Sequence, residues 1–149
     1  MLDKTEISRS INRITSNEYY EGDFGDCVED IDKILNDVDK SLWESIPKEY
    51  IEFLSQFGFG ELDAAFYLDD GPIPYTTIFN REIDLYKGMY VFAGNSSDIL
   101  YAFDSLNNWR VVTLGSEALE VTKVADSFEE FIVERLGYIE ELAESRLDS

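Results

Sequence analysis

The 149 residues carry 32 Asp and Glu against 12 Lys and Arg, a formal net charge of −20. The length is near that of one domain and, with 44% hydrophobic and 14% aromatic residues, suffices for a packed core. The charge argues against nucleic-acid binding, which needs clustered Lys and Arg, and against adhesion to anionic lipid.

In chain order, Ile7, Ile11 and Ile14 recur at spacings of four and three, which predicts a first helix with one apolar face. Residues 17–26, with two glycines, two tyrosines and several acids, read as a loop. Val28, Ile31, Leu35 and Val38 form the stripe of a second amphipathic stretch whose polar face holds Glu29, Asp30, Asp32 and Asp37. Pro47 suits a first helical position, and behind it Tyr50, Phe53, Leu54 and Phe57 follow the i, i+3, i+4, i+7 pattern. With Gly58 as the left-handed residue beyond the end, a helix is predicted over 47–57.

After Gly60 the pattern changes. Residues 62–68 read as a strand, and Asp69-Asp70-Gly71-Pro72 as a tight turn. Pro72 and Pro74 make the next stretch irregular, and Asn80 is expected to cap a short helix over 81–86. Strands are predicted at 89–93, 99–103, 110–114 and 119–124. The turns between them, at 94–98, 104–108 and 115–117, are short enough for an antiparallel meander. Ser127 and Glu130 make a capping-box signature for a last helix carrying Phe128, Phe131, Ile132, Leu136, Ile139 and Leu142. The expected fold is α+β: N-terminal helices, a central, mainly antiparallel twisted sheet of four to six strands, and a C-terminal helix packed on it. One domain is expected over 1–149, with a core at about 27–136 and residues 1–26 as a helical extension and loop.

Absent residues narrow the chemistry. Without His there is no Ser-His-Asp or Cys-His site, no imidazole base and no His-containing zinc site. Cys27 alone can make neither an internal disulfide nor a Cys-based metal site, and is expected as a small buried apolar residue. The start lacks the basic and apolar regions of a secretory signal, and no apolar run approaches the ~20 residues of a membrane span. The cytoplasm is the expected compartment. Asp23-x-x-Asp26 and Glu29-Asp30-x-Asp32 lack the ligand order and glycine of a calcium loop, no carboxylate pair stands out for glycoside hydrolysis, and no Gly-rich phosphate loop is present. No catalytic residue, metal or cofactor is expected.

Three blocks carry a family resemblance. Ile46-Pro47-x-x-Tyr50-x-x-Phe53-Leu54 ending at Gly58 is the first. Val91-Phe92-Ala93-Gly94-Asn95 leading to Tyr101-Ala102-Phe103-Asp104 is the second, and Val124-Ala125-Asp126-Ser127-Phe128-Glu129-Glu130-Phe131-Ile132 the third. In this order, over about Cys27 to Leu136, they resemble the SUKH superfamily of fungal Smi/Knr-type cell-wall-assembly regulators and bacterial immunity proteins. The chain departs from the family's Gly-rich, Asp-containing turn, having Asn95-Ser96-Ser97-Asp98 there. The resemblance implies N-terminal helices, a twisted sheet and a C-terminal helix, and a bacterial member that binds and neutralises a toxin domain.

The expected function is therefore immunity-type binding of a protein partner, a basic toxin domain such as a nuclease. A regulatory interaction scaffold is the alternative and a carboxylate-based hydrolase a distant third. Asp69, Asp70, Asp98 and Asp104, at turns and strand ends, are the acids expected to face that partner, although Asp also favours turns for its own sake. Trp109 is the expected aromatic anchor at the start of a strand, with a core position as the competing reading. Trp43, between Leu42 and Ile46, is expected in the core. The aromatic-acidic loop Tyr19-Tyr20-Glu21-Gly22-Asp23-Phe24 either wraps a partner or folds back on the sheet.

Overall fold

The computed structural model describes residues 2–115 and 117–147; Ser116, in the expected 115–117 turn, lies outside them. Helix α1 spans Lys4–Thr15, capped by Asp3, whose carboxylate accepts from the Glu6 amide. Its Ile7 and Ile14 are buried. The second amphipathic stretch is not one helix. Asp30 caps α2, Ile31–Ile34, after a single turn, and Asp39 caps a separate 3-10 turn, Lys40–Ser45. The Val28 amide is drawn instead to the Leu54 carbonyl, and Ile31 stays half exposed, so the stripe breaks.

Helix α3, Lys48–Gln56, follows Pro47 and buries Tyr50, Phe53 and Leu54. Gly58 takes φ +105° and donates to the Phe53 carbonyl, closing the helix. A six-stranded antiparallel sheet follows in sequence order: β1 Gly60–Asp63, β2 Phe66–Pro74, β3 Met89–Gly94, β4 Leu100–Asp104, β5 Arg110–Leu114 and β6 Val121–Ala125. Between β2 and β3 lie α4, Tyr75–Phe79, and the 3-10 turn Asp84–Tyr86. Asn80 ends α4 in the left-handed conformation rather than starting a helix after it, a role its short side chain tolerates. Helix α5, Phe128–Leu147, closes the chain, with the Ser127 hydroxyl accepting from the Glu130 amide.

Residues 69–72 correct the sequence reading. They are not a tight turn but the middle of β2, where pairing with β3 jumps from Leu68↔Ala93 to Ile73↔Val91. Four residues therefore bulge opposite one, Phe92, a place where Gly and Pro cost the ladder nothing. Gly71 lies so close to the Ile34 carbonyl that a Cβ would collide with it.

Strand alternation divides the core between the two faces of the sheet. Phe66, Phe92, Tyr101, Phe103 and Val111 face α1, α3 and α5, while Val91, Ala102, Val112 and Leu114 face the segment carrying Tyr75, Ile83 and Tyr86. On the helix face, Tyr50 meets Phe92, Phe103 and Phe128 edge-on, its ring centroid 5.0–5.5 Å from theirs. Helix α1 packs along α5, and α5 reaches β5 and β6.

Cys27 is exposed, not buried, because the chain there runs along the surface between the Asp26↔Phe59 bridge and the Val28–Leu54 bond.

Candidate functional site

The structure parts the four acids and the one aromatic singled out from the sequence. Asp98 lies in the β3–β4 turn and Asp104 at the far end of β4, a strand of five residues, so about 13 Å of strand separates the two groups. At the Asp98 end the turn is held by the Asn95 carboxamide, which accepts from the Ser97 and Ile99 amides, and Asp98 stands exposed at φ +66°. The burial-raised pKa of the Tyr67 phenol is raised further by Asp69 and Asp98, so the β2 bulge and this turn share one electrostatic neighbourhood.

Within the bulge Asp70 is exposed and Asp69 half-buried. Neither carboxylate makes a hydrogen bond or ion pair among the described residues. Burial, reinforced by Asp70, pushes the Asp69 carboxyl up to about 6. Beneath them the Tyr50 hydroxyl is buried with no hydrogen-bond partner, its pKa raised well above the ordinary value by burial and then by Asp69 and Asp70.

Asp104 and Trp109 correct the expectation of a surface role. Asp104 is 1% exposed, and its carboxylate accepts from the Leu106 amide, the Asn107 side-chain amide and Arg110 Nε at 2.9–3.2 Å. It organises the β4–β5 hairpin from a buried position. Trp109 is 5% exposed, stacked on Tyr90 and edge-on to Phe103. Asn108 and Trp109 both adopt positive φ, which turns the indole inward from the hairpin. Trp43 is the less buried of the pair. It is half-buried, with its indole N–H on the Val38 carbonyl and Lys40 over the ring.

The loop after α1 closes over the outer edge of β1. The Tyr20 hydroxyl donates to the Glu61 carbonyl at 3.0 Å and accepts from the Phe24 amide, while the Asp23 carboxylate accepts from the Glu61 amide at 2.7 Å. Side chains thereby satisfy both backbone groups of an edge residue. Gly22 presses against the Glu61 carbonyl, where no Cβ would fit. Beside this seam lies a cavity of about 490 Å³ between the loop, β1 and the end of α5. Its lining includes Tyr19, Tyr20, Glu21, Glu61, Asp63 and Arg146. The Tyr-Tyr-Glu-Gly run pointed to this loop, but Glu61, Asp63 and Arg146 carried no local signal, because only the fold brings them beside it.

Among the described residues no group of three or more Asp, Glu or Cys is placed to hold a metal ion, and no helix is long and apolar enough to cross a membrane. None of the curated proteins compared with the chain matches it, nor does any solved structure. The family model SUKH_6, described as SMI1-KNR4 cell-wall, matches residues 32–132, from α2 through the sheet to the first turn of α5. The chain belongs to the SMI1-KNR4 (SUKH) family, which includes toxin immunity proteins and whose members generally act through protein–protein interaction.

Proposed function

We propose that this protein is an immunity-type binder that occupies and neutralises a basic toxin domain in the cytoplasm, and that it is not an enzyme. The observation that carries the reading is Asp69, a half-buried carboxylate without a hydrogen bond or cation. The free protein gains nothing from that arrangement, whereas a partner's Lys or Arg laid over Asp69 and Asp70 would relieve it. The surrounding charge agrees. Lys4, Arg9, Arg13, Arg110, Lys123, Arg135 and Arg146 already face internal carboxylates, which leaves the acid surplus of a −20 chain to an external cation. Asp98, in the same neighbourhood as Asp69, belongs to the proposed surface; Asp104 and Trp109, buried at the other end of β4, do not.

The test is co-expression with any basic toxin domain encoded in the neighbourhood of this gene. Restored growth and a purified one-to-one complex are expected, and Asp69→Asn with Asp70→Asn should weaken both. Persistent growth arrest, with the chain abundant, folded and free of the toxin, would overturn the reading.

A further inference from the structure

We propose that the cavity beneath the Tyr19–Gly22 loop is a receptor for an arginine side chain of the protein partner. This deepens the proposed function and rests on it for the partner's basic character.

The site is built rather than incidental. Asn17 anchors one wall, its side-chain amide donating to the Ala143 carbonyl of α5 at 3.1 Å and its carbonyl oxygens accepting from the Tyr19 and Tyr20 amides. The Tyr20 and Asp23 bonds to Glu61 pin the opposite wall to β1. The volume of about 490 Å³ lies within the range of side-chain and small-ligand pockets.

Its chemistry selects a cation. Glu21, Glu61 and Asp63 line it against a single guanidinium, Arg146. Glu21 and Glu61 are exposed, and neither side chain has a cation among the described residues. Tyr19 is 53% exposed, and its ring makes no ring contact or hydrogen bond among the described residues, so an aromatic face is open beside the carboxylates. An aromatic face with carboxylates around it suits the flat, always-charged guanidinium better than a compact ammonium.

The chain supplies its own precedent. Arg146, near the end of α5, already pairs with Asp63, whose side chain is only 8% exposed and also accepts from the Ala65 amide. One guanidinium thus occupies the inner carboxylate, and Glu21, Glu61 and Tyr19 remain at the mouth for a second. An incoming arginine would compete with or stack beside Arg146, so Arg146 is a local counter-ion that the partner must share.

The test uses the full-length chain, labelled with 15N, and the blocked tripeptide acetyl-Gly-Arg-Gly-amide. Its citrulline counterpart, equal in shape and uncharged, is the control. Salt-sensitive shifts confined to amides 17–22 and 61–64 are expected for the arginine peptide alone. Glu61→Gln and Tyr19→Ala should each weaken binding by about fivefold, and Arg146→Ala should tighten it. Glu61→Gln changes only an exposed side chain, and an unchanged melting curve for it keeps the result interpretable if Tyr19→Ala loosens the loop. Equal shifts from both peptides, shifts spread over the acidic surface, or indifference to Glu61→Gln would overturn the proposal. Co-expression separates the two readings. Growth rescue without peptide binding removes the cavity and leaves the immunity role, while specific peptide binding without rescue supports the cavity and removes the role.

Discussion

Trp109 donates its indole N–H to the Ser45 hydroxyl 3.2 Å away, across 64 residues of chain, and so ties the β4–β5 hairpin to the turn before α3. With Tyr90 stacked on one side and Phe103 edge-on, the ring is a strut between sheet and helices. Trp109→Ala is therefore expected to lower unfolding free energy by about 3–5 kcal/mol. Partner affinity in the folded fraction should stay within about twofold of wild type. Denaturant titration together with a binding measurement on the same variant checks both. An unchanged melting temperature with weakened binding would return Trp109 to the surface.

Asp69 gives a pH dependence with a defined sign. Its folded pKa of about 6 lies above the ordinary carboxylate value near 3.9, so between those limits the folded chain keeps a proton the unfolded chain has lost. Its contribution to stability falls as pH rises through that window, and the loss persists above it. Asp69→Asn should stabilise the isolated protein at pH 7 by on the order of 1–2 kcal/mol, after allowance for partial solvation, and leave it unchanged near pH 4. Unfolding curves for both forms from pH 4 to 7 measure the difference. A flat difference would mean that Asp69 titrates normally.

The Tyr50 hydroxyl leads to an unusual expectation for a core substitution. It is fully buried without a partner, so the fold carries the desolvation of a phenol and receives no hydrogen bond in return. Tyr50→Phe keeps the ring contacts with Phe92, Phe103 and Phe128. The variant should be as stable as wild type or more so, by about 1 kcal/mol. A loss larger than that in calorimetry would reveal a bond to the hydroxyl.

Association should respond to salt. A chain of charge −20 steers a basic partner, so the on-rate is expected near 10⁸ M⁻¹s⁻¹, roughly, at low salt and to fall at least about tenfold toward 0.5 M. Stopped-flow mixing at several salt concentrations reads this directly. A rate that does not move with salt would detach the acidity from recognition.

What the sequence determined by itself is whatever is written within a few residues. Pro47 before Tyr50, Phe53 and Leu54 marked α3, because a buried helical face repeats within two turns. Ser127 and Glu130 marked the start of α5, a pairing of neighbours, and the short turns after Gly94 and Asp104 marked a meander. The three family blocks were legible for the same reason. Tertiary structure decided the rest. Asp69-Asp70-Gly71-Pro72 has the composition of a turn, yet β3 on one side and Ile34 on the other draw it into a bulged strand. Val28–Val38 has helical spacing, yet the Leu54 carbonyl takes the Val28 amide and shortens the helix to one turn. Trp109 and Trp43 exchange their expected burial because positive φ at Asn108 and Trp109 rotates one indole inward, a backbone choice invisible in composition. The cavity beside β1 needs Tyr19, Glu61 and Arg146 from three distant parts of the chain. Local propensities are worth fractions of a kcal/mol to about one each, and long-range burial of aromatic surface outweighs them wherever the two conflict.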